Sequence, residues 1–197
     1  MKSVGVVGGI GSGKTTVCKV WEKLGATVIY ADDLAKELMQ TDPELQKELI
    51  TIFGSETYNS DGSLNKPHLI NEAFNNNRVD ELNNAVHPIL RKKLKNLAVS
   101  SEQAGVELFV VEAAILLNDR RPDFPGIIVL VTADRDQRVN RVADRDEVSE
   151  DEILARMDKQ PNFNELTHLA DFKIKNNGTP AALESRAIEL FEKLKIS

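Results

Sequence analysis

Cysteine is almost absent from this sequence of 197 residues, since Cys18 is the single one. One thiol cannot form an internal disulfide, and this fits a protein of a reducing compartment. Cys18 falls within a predicted helix, where a buried apolar role is favoured over a reactive one. The three histidines and one cysteine also do not form a zinc-binding set.

Long apolar runs are absent as well. No stretch approaches the eighteen or so apolar residues that a membrane-spanning helix needs. The apolar run near the N-terminus is too short for a signal peptide, and it leads directly into a glycine-rich loop. We therefore expect a cytoplasmic protein without a membrane partner.

An excess of basic residues is also missing. The net charge is −6 and the isoelectric point is about 5.2. A general nucleic-acid binder needs a basic face, so we expect no nucleic-acid partner, although a local basic pocket for phosphates remains possible. The length of 197 residues and the hydrophobic content of 41% are typical of a globular protein with one sizeable core.

What the sequence does contain is a glycine-rich loop with a defined spacing. Residues 8–15 read Gly-Gly-Ile-Gly-Ser-Gly-Lys-Thr and fit the phosphate-binding pattern G-x-x-x-x-G-K-[ST]. The apolar residues 3–7 before the loop predict a buried strand. A helical pattern follows as far as Gly25, with an apolar stripe of Val17, Val20, Trp21 and Leu24.

The chemistry of this loop predicts binding of nucleotide phosphates. Glycines let backbone N–H groups point at phosphate oxygens, and the start of the helix adds positive potential. Lys14 supplies a cation for the β- and γ-phosphates, and the Thr15 hydroxyl can ligate Mg²⁺. The predicted phosphate-binding residues are Gly8, Gly9, Ile10, Gly11, Ser12, Gly13, Lys14, Thr15 and Thr16. The glycines lack the G-x-G-x-x-G spacing, which argues against a nicotinamide cofactor.

Strand and helix patterns alternate along the chain and predict an α/β fold. Apolar runs that predict strands lie at residues 3–7, 26–31, 106–111, 126–131 and 171–174. Such runs are typical of a doubly wound parallel sheet, here of five strands and of the P-loop NTPase type. We expect residues 1–197 to form a single domain.

Residues 33–100 lack a convincing strand and predict a helical insertion. Its longest helical pattern runs from Val79 to about Ala98. Pro88 lies inside this pattern, so we expect a kink or a break near His87.

Two carboxylates follow predicted strands, at the edge where such sheets bind ligands. Asp32 ends the second strand, where it can accept a hydroxyl proton or hold Mg²⁺ through water. The alternative is a helix cap, a role for which Asp33 competes. Glu112 ends the third strand. We interpret it either as an outer-shell magnesium carboxylate or as a solvated strand end, with nearly equal weight.

Three arginines, Arg138, Arg141 and Arg145, are three and four residues apart and share one helical face. Arginine suits bidentate contacts to phosphate, so these residues can fold over the nucleotide from a mobile segment. A salt-bridged surface helix is the alternative, since aspartates lie close by. We favour phosphate binding, most strongly for Arg141 and Arg145.

Taken in order, these motifs resemble those of the dephospho-CoA kinase family over nearly the whole chain. The resemblance rests on residues 7–16, 24–25, 28–32, 53–54, 61–64, 87–88, 137–141, 145, 160, 170–171 and 176–178. It implies a kinase that uses ATP and Mg²⁺ to phosphorylate the ribose 3′-hydroxyl of dephospho-CoA, the last step of CoA synthesis. It also implies a P-loop core, a helical part that binds the acceptor, and a lid at about residues 138–165.

The resemblance also assigns roles to residues. Asp32 matches the aspartate that activates the hydroxyl, and Arg141 and Arg145 match basic residues of the lid. We therefore predict Asp32, Lys14 and Arg141 as catalytic, Arg145 with the loop as ATP-binding, and Thr15 as the metal ligand. Asp32, Lys66 and His87 are the predicted acceptor-binding residues.

The sequence departs from the family pattern at three places. Lys66 stands where the family usually has Arg, and Tyr30 replaces a frequent aspartate. The stretch 114–118 lacks the usual proline and ends in Asn118 instead of Glu. These departures concern contacts to the acceptor and leave the ATP chemistry intact.

Two other functions are alternatives. Residue chemistry alone leaves open a P-loop kinase for a nucleoside, a nucleotide or a similar acceptor, and only the ordered resemblance separates the two kinases. A nucleotide-dependent switch for guanine nucleotides would need an Asn-Lys-x-Asp run after a late strand, and the sequence has none. The arginine-rich helix also fits a self-contained kinase better.

Overall fold

The computed structural model describes residues 1–114, 116–117 and 121–196 of the protein. The chain forms two compact units. The first, which we call the sheet unit, combines Met1–Tyr30 with the chain from Ser100 onwards. The second, which we call the helical unit, is Ala31–Val99.

The sheet unit is built on parallel strands. Its strands are β1 (Lys2–Val7), β2 (Thr27–Tyr30), β3 (Leu108–Glu112), β4 (Ile127–Thr132) and β5 (Phe172–Lys175). Among the described residues these five form one sheet in the order β2-β3-β1-β4-β5, and every neighbouring pair is parallel. Strands β1, β3 and β4 are almost wholly buried, as strands covered on both faces must be. The predicted α/β fold with a five-stranded parallel sheet is confirmed.

The helices alternate with the strands in the sheet unit and follow one another in the helical unit. They are α1 (Lys14–Lys23), α2 (Ala31–Thr41), α3 (Pro43–Phe53), α4 (Lys66–Ile70), α5 (Val79–Gln103), α6 (Arg135–Asp146), α7 (Glu150–Asp158) and α8 (Pro180–Ile196). A π-helical turn, Asn71–Asn75, follows α4 directly.

One face of the sheet is covered by α1 and α8. The Trp21 indole is fully buried and donates a hydrogen bond to the carbonyl of Ala187 at 2.8 Å. Cys18 is buried in the same cluster, and burial raises the pKa of its thiol, in line with its predicted apolar role. The predicted inward position of Leu24 is wrong, because α1 ends at Lys23 and the Leu24 side chain is 38% exposed.

Helix α5 bears on the prediction of a kink or a break near His87, of which the break is not found. It runs without a break from Val79 to Gln103, with Pro88 inside it, and therefore extends past the expected end. Proline removes one backbone donor but fixes a helical φ, so a long helix with buried side chains on both sides of it can continue. Leu82, Val86 and Leu94 supply this buried face.

Among the described residues, no helix combines the length and the apolarity that crossing a membrane requires.

The start of α3 allows a test of stability in the helical unit. The Asp42 carboxylate accepts hydrogen bonds from the amides of Glu44 and Leu45, both at 3.0 Å, with Pro43 at the first helical position. Replacing Asp42 with Ala leaves these amides without the cap, so the free energy of unfolding should fall by about 1 kcal/mol. Chemical denaturation measures this change. The matched variant Glu48→Ala lies on the exposed side of the same helix and should unfold as the parent does, and an equal loss there would contradict the capping role.

Candidate active site

The glycine-rich loop joins β1 to α1 and contains positions that only glycine can occupy. Gly8 has a φ of 146°, and a Cβ there would lie 2.1 Å from the carbonyl oxygen of Val131. Gly13 has a φ of 102°, and its Cβ would lie 2.4 Å from Asn176 Nδ2. Side chains are excluded at both places, so the backbone itself lines the loop. The first N–H groups of α1 have no partner within the helix and add to an anion-binding surface.

Lys14, Thr15 and Glu112 come together beside this loop. The Lys14 side chain is almost buried, and its Nζ donates to the Gly9 carbonyl at 3.3 Å and lies 3.8 Å from Glu112 Oε1. The Thr15 hydroxyl donates to Glu112 Oε2 at 3.3 Å. Glu112 ends β3, next to β1 in the sheet, and its side chain is only 13% exposed. It is therefore held against the loop and is not a solvated strand end.

The buried Ser12 hydroxyl also belongs to this loop. Ser12 is 1% exposed, and within the described chain no hydrogen-bond partner reaches its Oγ. Buried polar atoms are normally satisfied, so this oxygen is available to a group that enters the loop. The loop thus offers a hydroxyl, backbone amides and the Lys14 ammonium to an anion.

No group of three or more metal-ligating side chains occurs in the part of the chain that the structure describes. The loop instead offers one hydroxyl and one carboxylate, those of Thr15 and Glu112. This small oxygen set fits a hard cation such as Mg²⁺, which usually keeps several waters and takes its other ligands from phosphates.

Two of the three predicted arginines lie against the loop. Arg138 Nε donates to the Ile10 carbonyl at 2.8 Å. Arg141 Nη1 lies 3.5 Å from the Gly11 carbonyl, and its Nη2 donates to the backbone carbonyl of Asn176 at 3.0 Å. Helix α6 therefore directs both guanidinium groups at the loop backbone.

Arg145 is placed differently. Its guanidinium forms a two-pronged ion pair with the neighbouring Asp146, at 2.6 and 2.9 Å, and its side chain is 60% exposed. This pairing raises the pKa of Arg145 and matches the salt-bridged alternative for this residue. The structure does not bring its side chain to the loop.

Two loop contacts come from residues that the sequence patterns gave no role. The amide of Ile10 donates to Gln160 Oε1 at 2.8 Å, and Asn176 Nδ2 donates to the Ser12 carbonyl at 2.8 Å. Both residues belong to the motifs that carry the resemblance. The sequence pattern around a single Gln or Asn does not indicate which residue its side chain contacts. The only signal for these two residues was that they belong to those motifs.

The predicted acceptor-binding residues all lie in the helical unit. Asp32 is exposed in the first turn of α2, which corrects its predicted place at a strand end, because β2 stops at Tyr30 and the helix starts at Ala31. Lys66 is the exposed first residue of α4. His87 is half-buried in α5, where burial and nearby Arg91 lower the pKa of its imidazole. Asn118 lies outside the described residues.

A pocket of about 700 Å³ opens beside the loop within the sheet unit. It is lined by the loop, the end of β4, the start of α6 and the segment after α7, including Gly9, Ser12, Thr132, Asp134, Arg138 and Gln160. This volume lies in the range of small-molecule and cofactor sites.

The loop, the sheet order and these side chains can be compared with known proteins. The family model described as dephospho-CoA kinase (CoaE) matches residues 2–181. The dephospho-CoA kinase of Salinibacter ruber is 38% identical over 192 residues, which cover 97% of this chain and 96% of the relative. The enzyme of that name from Geobacter sulfurreducens is 32% identical and covers 98% of each chain.

Solved structures share the fold of this chain. The crystal structure of TT1252 from Thermus thermophilus matches with a TM-score of 0.77 and 27% identity, over 98% of this chain and 97% of the other. The dephospho-CoA kinase of Campylobacter jejuni has the same fold, with a TM-score of 0.68 and 23% identity, over 100% of this chain and 98% of the other. From its sequence and its fold, the chain belongs to the dephospho-CoA kinase family.

Proposed function

We propose that the protein transfers the γ-phosphoryl group of ATP to the ribose 3′-hydroxyl of dephospho-CoA and so forms CoA. The observation that carries the proposal is the phosphate-binding loop with Lys14 and Thr15 beside it, in a chain of this family. The named relatives support the choice of acceptor. The single cysteine and the use of ATP fit action in the cytoplasm.

The loop binds and orients the triphosphate in this proposal. Phosphoryl transfer depends mainly on positioning and on stabilising the charge of the phosphoryl oxygens. Lys14 supplies the nearest positive charge, and the buried Ser12 hydroxyl faces the same loop. Arg141 contributes a second positive charge from α6. Arg145 would have to leave Asp146 to join them.

Thr15 and Glu112 are the residues that would hold Mg²⁺ beside the phosphates. When bound, this cation neutralises charge on the phosphate oxygens. The Thr15 hydroxyl donates to Glu112 Oε2 at 3.3 Å, so the two oxygens already lie close together. Glu112 also fixes the position of the Lys14 ammonium.

Asp32 is proposed to accept the proton of the acceptor hydroxyl. A carboxylate within hydrogen-bond reach of a hydroxyl can act as its general base. The helical unit, with Lys66 and His87, would bind the rest of the acceptor, and residues 138–165 would form the lid. These assignments rest on the matched positions of the resemblance, and the polar side chains of Asp32 and Lys66 are exposed and able to meet a substrate.

An acceptor panel tests the proposal. Purified protein with ATP and Mg²⁺ is offered dephospho-CoA, pantetheine, adenosine and AMP, and ADP release is measured. We expect dephospho-CoA to give the largest kcat/KM and a product identical to CoA by mass and chromatography. The Lys14→Met variant serves as the control for contaminating kinases. A preference for a nucleoside or nucleotide would overturn the assigned acceptor in favour of another P-loop kinase.

A further inference from the structure

Carbonyl groups of the phosphate-binding loop accept hydrogen bonds from side chains far away in the sequence. The Ile10 carbonyl accepts from Arg138 Nε at 2.8 Å, and the Ser12 carbonyl accepts from Asn176 Nδ2 at 2.8 Å. Asn176 is itself buried, and its own amide donates to the Thr132 carbonyl at 2.7 Å. The loop backbone is therefore attached both to α6 and to the end of β5.

These bonds fix the direction in which the loop amides point. A trans peptide is planar, so the carbonyl of one residue and the N–H of the next point in opposite directions. A carbonyl held towards Arg138 turns the amide of Gly11 away from α6, and one held towards Asn176 turns the amide of Gly13 away from β5. Successive amides directed away from such contacts form the concave surface that binds anions.

The peptide group before Ile10 is held as well. The amide of Ile10 donates to Gln160 Oε1 at 2.8 Å, so Gln160 and Arg138 fix the two peptide planes on either side of this residue. The Ile10 side chain packs on a small apolar cluster of Val139, Val142 and Ile153, which belongs to α6 and α7. The tip of the loop is thus anchored by its amide, its carbonyl and its side chain.

The Arg138 guanidinium contacts the backbone of the loop. An added Cβ on Gly9 would lie 2.5 Å from Arg138 Nη2, so the guanidinium rests directly on the loop. Arg138 is half-buried, and burial together with the nearby Arg135 lowers the pKa of its guanidinium.

We propose that Gln160, together with Arg138 and Asn176, is a positioning residue that holds the phosphate-binding loop in its anion-binding form before the nucleotide binds. The identity of the anion as ATP rests on the proposed function. Gln160 acts through the Ile10 peptide and needs no contact with the phosphates. Gln160 keeps the loop ordered before the nucleotide binds, and this order lowers the entropic cost of binding.

The experiment uses Gln160→Met, which keeps the length of the side chain and removes the acceptor, and Gln160→Glu, which restores an acceptor for the Ile10 amide. The exposed Gln103 at the end of α5 gives the matched control Gln103→Met. Amide hydrogen exchange of the loop is measured in the nucleotide-free protein, and ATP affinity is measured by calorimetry without acceptor.

In Gln160→Met we expect faster exchange at Ile10 and a Kd for ATP raised about three- to tenfold, the effect of one hydrogen bond. The Gln160→Glu variant should recover the slow exchange and most of the affinity for ATP. In both Gln160 variants kcat at saturating ATP should change little. The control Gln103→Met should behave as the parent protein. Unchanged exchange in Gln160→Met, or faster exchange with unchanged affinity, would overturn the positioning role. Failure of the parent protein to bind ATP would instead refute the proposed function. The two failures can be distinguished because hydrogen exchange of the loop is measured without nucleotide.

Discussion

In the Asp32→Asn variant, kcat should fall by about 10²–10⁴-fold, the range expected when a general base is removed. Asparagine has nearly the same shape but cannot accept the proton of the acceptor hydroxyl. Asp32 is exposed in the first turn of α2. Its proposed partner is the acceptor hydroxyl and not the nucleotide, so the affinity for ATP should stay close to that of the parent protein. Steady-state kinetics with dephospho-CoA and calorimetry with ATP alone measure the two quantities separately.

The neighbouring residue provides the control. Asp33 is equally exposed and forms an ion pair with Lys36 at 2.9 Å, three residues along the same helix. Exposed pairs of this kind contribute little, so Asp33→Asn should keep almost full activity. Normal turnover in Asp32→Asn would refute the general-base role. An equal loss in both variants would show that the charge of this turn matters and not the chemistry of Asp32.

The part of the site that the sequence predicts best is the part made of consecutive residues. The strand, the loop and the first helix all lie within residues 2–23, and the glycine spacing alone defines the anion-binding backbone. The buried parallel strands β3 and β4 were also predictable, since both coincide with continuous apolar runs.

Boundaries were predicted less well, for local reasons. Asp32 was placed at a strand end because the apolar run stops at Ala31, yet the chain enters α2 at that same alanine without a connecting loop. Pro88 led us to expect a kink or a break near His87, but α5 continues through it, with buried side chains on both sides. In both cases the local pattern did not show where the helix begins or continues.

The loop supports were beyond prediction for a different reason. Gln160 and Asn176 contact loop residues that are 150 and 164 positions away in the sequence. Nothing in a residue's own surroundings indicates so distant a partner. Arg138 was recognised as a basic residue on a shared helical face, but the pattern could not distinguish a phosphate ligand from a residue that binds the loop carbonyl.

In the Lys14→Met variant we expect kcat/KM to fall by about 10³-fold, because the cation nearest the phosphates is removed from a water-poor site. Lys14 is 9% exposed, and its Nζ lies between the Gly9 carbonyl and the Glu112 carboxylate. Methionine fills a similar volume but leaves Glu112 without this positive neighbour.

Two further variants separate charge from position. Lys14→Arg keeps the positive charge but brings a larger, planar group into a nearly filled space, so it should lose most of the activity as well. Lys19→Met removes a lysine from the exposed side of the same helix and should leave kcat/KM unchanged. Thermal unfolding must show that all three variants remain folded. Parent-like activity in Lys14→Met would contradict the loop as the phosphate site. Full activity in Lys14→Arg would show that Lys14 contributes to activity through its charge alone and not through the placement of a compact ammonium group.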